Sequence, residues 1–325
     1  MGRRAIRIPT RLGVQLLVVG ALVIGGASPA FAAKPGHGGG GGGGGTGGGG
    51  STTTGFDVSY PQCGTTLPTP TAFGIVGVNG GLANDLNSCL GPSSSYPSYA
   101  QSELYWAVTA SVGGTSQPKT SLYANTADPG NLYKGKPIAD WPMSSISTDP
   151  YGSCTTITVT SRGHTYTVGA NSDACAWQYG YNKATQDATW LTNAADAING
   201  QQSSVVVPDT AGSYQWWLDV ETANTWQSDL TMNVAELQGM IAGLQAAGAP
   251  TAVAVGAYST SSQWSSITGG TTTTAAGSLY GIPNWIPGAT TLAEAQSNCS
   301  LTSFTGAASI SVTQWTGSPD NDYAC

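Results

Sequence analysis

The chain has 325 residues, of which only 8% are charged, with 10 Lys and Arg against 17 Asp and Glu and a formal net charge of −7. Binding to nucleic acid depends on a positive surface, so this composition argues against a nucleic-acid partner. An average globular chain has roughly 25% charged residues, and each acidic side chain here is correspondingly more informative.

The N-terminus has the pattern of a secretory signal. Four arginines within the first 11 residues precede the apolar run LGVQLLVVGALVIGG, and the small-residue motif Ala30-Phe31-Ala32 follows. This order predicts a signal peptide over residues 1–32 and a secreted, extracellular protein, with a transmembrane anchor as the weaker alternative. Cleavage leaves 6 basic residues against 17 acidic ones, a formal charge of −11. No second apolar run is long enough to span a membrane, so no membrane partner is expected after cleavage.

A glycine-rich segment follows the predicted signal. Residues 33–54 include KPGHGGGGGGGGTGGGGSTTT, which offers no apolar side chains for a core, and we predict a flexible linker. The remaining residues, 55–325, are close in number to the roughly 250 residues of a single β/α-barrel domain. We therefore expect one domain and a monomer.

Short apolar runs alternate with helical patterns in this domain. Asn233 and Glu236 have the spacing of a capping box, apolar residues follow at the 3.6-residue period, and Gly248 with Pro250 ends the predicted helix. A second helix is expected over residues 183–199. The strand candidates are FGIVGV (73–78), LYWAVTASV (104–112), QWWLDVE (215–221), AVAVGAY (252–258) and ISVTQW (310–315).

The order of strand, helix and strand predicts an α/β fold with a parallel sheet. Together with the domain length, it favours a single irregular TIM-type β/α barrel. Residues 137–175 show little periodicity and are expected to form a surface insertion. We expect disulfides to staple the loops of this barrel.

Six cysteines lie in the predicted exported part of the chain, an even number that favours disulfides in an oxidising compartment. A zinc site is disfavoured because the chain has no Cys-x-x-Cys pair and its two histidines are far apart, and we expect neither a metal nor an organic cofactor. Sequential pairing would staple local loops and the C-terminus, and we prefer it: Cys63 with Cys89, Cys154 with Cys175, and Cys299 with Cys325.

Two carboxylates end the strand candidate QWWLDVE. Asp219 and Glu221 are separated by one residue, so in a strand they would point to the same side as Trp217. In parallel barrels the reactive residues gather at the C-terminal ends of strands. Paired carboxylates of this kind carry out glycoside hydrolysis, in which Glu221, with its longer reach, would donate the proton. Asp219 would stabilise positive charge at the sugar carbon or orient a reacting group. A helix cap or a solvated loop would also explain this pair.

Further acidic residues have a similar placement. Asp57 lies in a first strand candidate, and Asp320 and Asp322 come just beyond the last one. In a closed barrel the first and last strands are neighbours, so these residues would converge with the pair in the middle of the chain. Like charges in one cleft raise the pKa of at least one carboxyl, which then serves as a general acid. Alternatively, Asp57 forms a turn and the last two belong to a polar tail.

Several other side chains of the domain carry flat rings or an amide group that suit contact with a sugar. Aromatic rings stack on sugar faces, and amides hydrogen-bond to hydroxyl groups, although core packing would explain the same rings. The candidates for substrate binding are Tyr60, Tyr258, Trp285, Gln314 and Trp315.

The motifs FDVSYPQ, WLDVE, VGAYST, PNWIPGA and the ending TQW with DND occur in this order along the domain. In this the chain resembles glycoside hydrolase family 25, the lysozyme-like muramidases that cut peptidoglycan. The insertion and the cysteines are more similar to a secreted, actinobacterial-type branch described as family-25-like.

The resemblance implies roles for particular acids. Asp57, Asp219, Glu221 and Asp320 would line the active site, with Glu221 as the proton donor and Asp219 assisting the N-acetyl group of the substrate as internal nucleophile. Asp322 stands where the family usually has Asn, so either it or Asp320 is the counterpart of the family's final Asp.

These observations lead to two hypotheses of different classes. The first is a secreted muramidase that cleaves the β-1,4 links of peptidoglycan. The second is a catalytically silent protein that uses the same barrel to bind the cell wall or another glycan. A hydrolase of some other extracellular polysaccharide is a third and weaker alternative.

Overall fold

The structure, a computed structural model, describes residues 53–80, 83–248, 255–270, 279–306 and 309–325. The predicted signal peptide and nearly all of the predicted linker lie outside the described residues. The first strand begins at Thr54, next to the predicted start of the domain.

Eight strands form a closed barrel. All neighbouring strands are parallel except at the last strand, which is antiparallel to both of its neighbours. In spatial order the strands are β1 (Thr54–Val58), β2 (Gly74–Gly77), β3 (Thr120–Asn125), β8 (Gln215–Asp219), β9 (Val255–Tyr258), β10 (Asn284–Ala289), β11 (Ile310–Trp315) and β12 (Asp320–Ala324). The predicted α/β class and closed barrel are confirmed, with one antiparallel strand as a departure from a regular β/α repeat.

A helix lies in each connection between successive parallel strands of the barrel except the one from β1 to β2. None of the helices in the described ranges has the length and apolar character needed to cross a membrane. Single 3₁₀ turns occur at Tyr99–Gln101 and Ala211–Ser213. The α-helices are α1 (Glu103–Ala110), α2 (Asp173–Gln201), α3 (Leu230–Ala246), α4 (Ser261–Thr268) and α5 (Leu292–Asn298).

Side-chain caps define where four of these helices begin. Ser172 accepts a hydrogen bond from the backbone N–H of Cys175 at the start of α2, and Asp229 does the same for Thr231 at the start of α3. Thr260 and Thr291 cap α4 and α5. Each cap satisfies a backbone donor that the first helical turn leaves without a partner.

The connection from β3 to α2 carries the insertion, which contains two small hairpins. They are formed by β4 (Leu132–Tyr133) with β5 (Lys136–Pro137), and by β6 (Thr156–Ser161) with β7 (His164–Gly169). The insertion begins earlier than the predicted residue 137, directly after β3. It ends at Ser172, because the residues that follow already belong to α2.

The interior of the barrel is filled by large apolar side chains, which include Phe73, Ile75, Trp217 and Trp285. Glycine on a neighbouring strand makes room for them: a Cβ added at Gly256 would lie 2.4 Å from the Trp217 ring. A second apolar layer lies between the barrel and the surrounding helices. Because the interior is packed, polar chemistry is confined to the ends of the strands.

The strand predicted at 104–112 is wrong, because this segment forms α1. Its aromatic and β-branched residues are typical of strands, but Leu104, Ala107 and Ala110 are buried at a spacing of three, which fits one face of a helix. This face packs on β2, where a Cβ at Gly74 would lie 3.1 Å from Ala107. The true third strand, β3, was not predicted.

Other predicted boundaries also differ from the structure. Helix α3 is present, but Asp229 caps it, and both Asn233 and Glu236 are buried inside it. The predicted helix over 183–199 is the second part of α2, which starts at Asp173. Residues 252–254 of one predicted strand lie outside the described residues, whereas β9 covers the remainder.

Candidate active site

Asp219 is the last residue of β8, and Glu221 follows it at the C-terminal end of the barrel. Asp219 is buried and Glu221 is partly buried. The backbone between them is fixed, because the Val220 N–H donates to the carbonyl oxygen of Tyr258 at 2.9 Å and Ser259 Oγ donates to the Val220 carbonyl at 2.7 Å. The two carboxyls therefore leave a rigid strand end at the rim predicted from the sequence.

Hydrogen-bond donors surround the carboxylate of Asp219. Asn125 Nδ2 donates to Asp219 Oδ2 at 2.7 Å, and Asn224 Nδ2 donates to the same oxygen at 3.2 Å. Asn125 is itself held by Asn79, whose Oδ1 accepts from the Asn125 backbone N–H at 2.7 Å and whose Nδ2 donates to its carbonyl at 3.0 Å. The orientation of Asp219 is thus fixed through two layers of amide groups.

Burial raises the pKa of Asp219 to about 8, and the charge of Glu221 adds to the rise, while hydrogen bonds from Tyr123 and Asn224 oppose it. Burial also raises the pKa of Glu221, against a hydrogen bond with Gln263. Because the two carboxyls titrate together, the pair retains a proton near neutral pH. A carboxyl that is protonated near neutrality is what general-acid catalysis requires.

A second group of acids lies on β1 and β12. Asp57 and Asp320 are direct partners in the antiparallel pairing, so their side chains lie on the same face, and Asp322 follows at the next inward position. Gln314 Nε2 donates to Asp57 Oδ2 at 2.7 Å. Asp320 and Asp322 thus belong to a barrel strand, and their predicted position beyond the last strand is wrong.

Burial also favours the protonated forms of Asp57 and Asp322 in this second group. Burial raises the pKa of Asp57 to about 7, which the charge of Asp320 increases and hydrogen bonds from Gln314 and Asp322 oppose. The pKa of Asp322 is raised well above its usual range by burial and then by the charges of Asp57 and Asp320. This direction favours the protonated form of Asp322 beside Asp57 at neutral pH.

Tyr258 connects the two groups of acids. Its hydroxyl donates to Gln314 Oε1 at 3.0 Å, which extends the hydrogen-bonded chain to Asp57. Its pKa is raised by burial and by the charges of Glu221, Asp57, Asp219 and Asp320, which places it near all of them. The convergence expected from a closed barrel is therefore present in the structure.

Aromatic rings form the floor beneath these acids. The ring centroids of Tyr258 and Trp285 are 4.6 Å apart, those of Tyr123 and Tyr258 are 5.8 Å apart, and those of Trp217 and Trp285 are 5.8 Å apart, all edge to face. Edge-to-face packing of this kind stabilises a rigid core. The acids lie above this packed layer, which leaves no space for them deeper in the barrel.

The predicted substrate-binding side chains differ in their burial and in their hydrogen bonds. Tyr258 and Gln314 lie within the hydrogen-bonded network, whereas Trp285 is fully buried in the floor. Tyr60 is 58% exposed beyond the end of β1, and Trp315 is partly buried at the end of β11. Of these five, the side chains of Tyr60 and Trp315 are the ones that solvent reaches most readily.

Sequence reasoning missed Asn79, Tyr123, Asn125 and Asn224, which orient Asp219 or support its partners. The run TSLYAN was the available signal, because it ends in a polar residue directly after an apolar strand. Among the described residues, no group of three or more His, Cys, Asp and Glu side chains is arranged to hold a metal ion.

Three disulfides stabilise the loops around the barrel: Cys63–Cys89, Cys154–Cys175 and Cys299–Cys325. This is the sequential pairing preferred from the sequence. The first joins the loops that follow β1 and β2, the second ties the insertion to the first turn of α2, and the third anchors the end of β12 beside α5.

Comparisons with known proteins point to lysozymes. A family model described as Lysozyme-like protein 1 (Lys-1) matches residues 183–301. The chain is 34% identical over 107 residues to a Dictyostelium discoideum protein described as "Probable GH family 25 lysozyme 4", which corresponds to 31% of this chain and 46% of that protein. The chain thus spans about half the length of this relative. The family match includes Asp219 and Glu221 but neither β1 nor β12.

A solved muramidase from Acremonium alcalophilum is also similar. It is 11% identical, with a TM-score of 0.39, and the alignment covers 84% of this chain and 93% of that one. That score is too low to establish a shared fold.

Proposed function

We propose that the protein is a secreted muramidase-type glycosidase that hydrolyses the β-1,4 links of peptidoglycan on an irregular TIM-type barrel. The observation that carries this proposal is the pair of coupled carboxyls, Asp219 and Glu221, at the C-terminal end of β8. The pair lies inside the segment that is similar to a lysozyme-like family, and its proton is retained near neutral pH. The N-terminal signal pattern supports export to the compartment where peptidoglycan occurs.

In this proposal Glu221 is the general acid. It is partly buried whereas Asp219 is buried, so it is the carboxyl of the pair that is more accessible to a substrate. It donates its proton to the glycosidic oxygen as the bond to the sugar carbon breaks. After the leaving sugar departs, the Glu221 carboxylate accepts a proton from the attacking water, which restores the acid.

Asp219 orients the reacting sugar. Its ionised carboxylate accepts a hydrogen bond from the N–H of the substrate's N-acetyl group, so that the acetyl oxygen attacks the sugar carbon as internal nucleophile. The attacking water then bonds to this carbon and displaces the acetyl oxygen, which regenerates the N-acetyl group. The donors from Asn125 and Asn224 fix the direction of this carboxylate before the substrate arrives. Preorganised groups of this kind stabilise developing charge without having to reorient during the reaction.

The acids of β1 and β12 extend the site across the rim. Asp320 is partly exposed and accepts hydrogen bonds from sugar hydroxyls, while Asp57 and Asp322 are buried beneath it. Their neutral or shared-proton state limits the negative charge that an anionic glycan meets. Tyr60, which follows β1, and Trp315, at the end of β11, are accessible for stacking on sugar rings.

A second candidate function is a silent glycan-binding protein. The specific observation in its favour is the deep burial of two of the acids, because Asp219 is 1% exposed and Asp57 is 3% exposed. Burial also favours the proton of the pair on Asp219, whereas catalysis requires it on Glu221. A protein that only recognises sugars would tolerate this arrangement.

Digestion of purified peptidoglycan separates the two candidates. The soluble products are analysed by mass spectrometry after reduction with borohydride, which marks each free reducing end. A muramidase releases muropeptides that end in reduced N-acetylmuramic acid. A protein that sediments with peptidoglycan but releases no such ends is a binding module. If reducing ends are released only from a different glycan, that glycan is the substrate and the proposed substrate is wrong.

A further inference from the structure

Cationic side chains are concentrated at one place on the described surface. The described ranges contain five Lys and Arg residues, and one of these, Lys183, is buried and paired with Asp140 at 2.7 Å. Lys119 stands apart in the loop before β3. The other three are exposed at the turns of the two hairpins of the insertion: Lys134, Lys136 and Arg162. The composition gave no reason to expect a positive patch, and the fold produces a small one.

The two hairpin turns touch each other. Ser161 Oγ donates a hydrogen bond to the carbonyl oxygen of Gly135 at 2.9 Å. A Cβ added at Gly135 would lie 2.9 Å from Arg162 Nε, so the arginine side chain lies over the turn of the first hairpin. The charges of Lys134 and Arg162 are therefore brought together although 28 residues separate them in sequence.

Both turns place a cationic residue in an unfavourable backbone conformation. Lys134 has a φ of 50° and Arg162 a φ of 52°, and each is followed by a glycine with positive φ. They are the non-glycine residues with positive φ in the described part of the chain. Turns of this type favour Asn or Gly at the first position, because other side chains cost roughly 1 kcal/mol there. Strained residues of this kind cluster at functional sites.

The surroundings of these charges suit a sugar chain. Lys134 Nζ lies 5.0 Å from the centroid of the Tyr133 ring, and Tyr133 is 44% exposed. One face of the second hairpin consists largely of exposed hydroxyl side chains: Thr156, Thr158, Thr160, Thr165 and Thr167. Neither hairpin contains an acidic residue. Cations, an exposed ring and a row of hydroxyls together match the groups of an acidic polysaccharide.

We name the surface formed by Tyr133, Lys134, Lys136 and Arg162 the cationic tip. We propose that the cationic tip binds the carboxylate or phosphate groups of an anionic polysaccharide. The choice of a polysaccharide as the ligand rests on the proposed function, whereas the presence of the cationic tip is independent of that function.

The position of the insertion supports this proposal. It leaves the barrel at the end where the acids lie, and the Asp128 N–H donates to the carbonyl of Thr225 at 2.9 Å, four residues after Glu221. The rest of the exported chain is strongly acidic and repels a polyanion, so the contact is confined to the cationic tip. The insertion that carries the cationic tip is therefore attached beside the segment that follows Glu221.

The test uses a double variant, Lys134→Asn with Arg162→Asn. Asn is favoured at both turn positions, so the variant keeps the hairpins and loses two charges. Lys119→Asn is the control for the loss of a single exposed charge elsewhere on the surface. Binding is measured by sedimentation with insoluble peptidoglycan that carries its anionic polymers, with the same material after removal of its phosphate-containing polymers, and with uncharged chitin.

We expect the double variant to bind intact wall material roughly fivefold or more weakly at low salt, and the control to bind like the native protein. The difference should vanish in roughly 1 M salt. Loss of the effect after phosphate removal identifies phosphate as the ligand group, and its persistence identifies carboxylate. Equal binding by all three proteins, or an equal loss in the control, would overturn the proposal.

Two further outcomes distinguish this proposal from binding of another macromolecule and from the proposed enzymatic function. If charge-dependent binding appears only with duplex DNA or with phosphatidylglycerol vesicles, the cationic tip recognises a different macromolecule and the proposal fails. If no protein releases reducing ends but wall binding still depends on the cationic tip, the proposed enzymatic function fails while this proposal stands.

Discussion

Helices α2 and α3 cross with their backbones in direct contact. A Cβ added at Gly180 would lie 2.0 Å from the backbone oxygen of Glu236, and one at Gly239 would lie 1.9 Å from the backbone oxygen of Trp177. The closest ordinary contacts between carbon and carbonyl oxygen are about 3.3 Å. Gly180→Ala must therefore separate the helices locally by roughly 1 Å.

The expected cost of Gly180→Ala follows from that geometry. Overpacking a buried site costs about 1–3 kcal/mol, and the upper end applies because a backbone oxygen cannot rotate away. The better helix propensity of alanine offsets about 1 kcal/mol. The free energy of unfolding should fall by about 2 kcal/mol, which lowers the melting temperature by roughly 4–8 °C for a domain of this size.

The matched control is Gly200→Ala, near the end of the same helix. A Cβ at Gly200 would meet no atom within 4 Å, so this variant should melt at or slightly above the temperature of the native protein. Both are measured by calorimetry and by urea unfolding with the disulfides intact. Equal stability of Gly180→Ala and Gly200→Ala would contradict the close backbone contact between α2 and α3.

Three further predictions concern the acids. Burial raises the pKa of Asp219 to about 8 and of Glu103 to about 7, so the folded chain binds protons more tightly than the unfolded chain. This stabilisation is full below about pH 4 and is lost as the pH rises through 7 to 8; Glu103 alone contributes roughly 3 kcal/mol. The urea midpoint should fall between pH 5 and pH 8, and a rise would contradict the pKa directions. Asp322→Asn should lessen this fall, because it removes a buried carboxyl that ionises at high pH, whereas an unchanged slope would show that Asp322 is not protonated in the fold. Asn125→Ala removes a hydrogen-bond donor to the Asp219 carboxylate, so the acidic limb of the pH–rate profile should move up by as much as about 1 pH unit; a lower rate with an unmoved limb would argue against this positioning role.

The sequence contains enough to predict the acids and the barrel but not every element. Asp219 and Glu221 were placed correctly because they form the only Asp-x-Glu pair in the sequence and follow a strongly apolar strand. In a parallel barrel, the C-terminal end of such a strand lies at the rim where reactive residues gather. By contrast, the segment 104–112 was assigned to a strand from its residue types, and its burial spacing in the fold is helical.

Tertiary contacts explain what the sequence could not indicate. Asn79 and Asn125 lie 46 residues apart, and neither looks functional until β2 and β3 pair. Asp320 and Asp322 were expected just beyond the last strand, yet they belong to β12, which pairs with β1 and brings Asp320 opposite Asp57. The cationic tip is likewise visible only when the two hairpins meet.

The most direct test of the central claim compares the native protein with Glu221→Gln on peptidoglycan, with Glu294→Gln, an exposed acid on α5, as the control. If Glu221 is the general acid, its loss should reduce the rate of reducing-end release roughly 10²–10⁴-fold. The same variant should keep most of its activity on an aryl glycoside whose leaving group needs no proton. Equal rates of release by the native protein and Glu221→Gln would contradict the assignment, and no release by any of the three would contradict the enzyme itself.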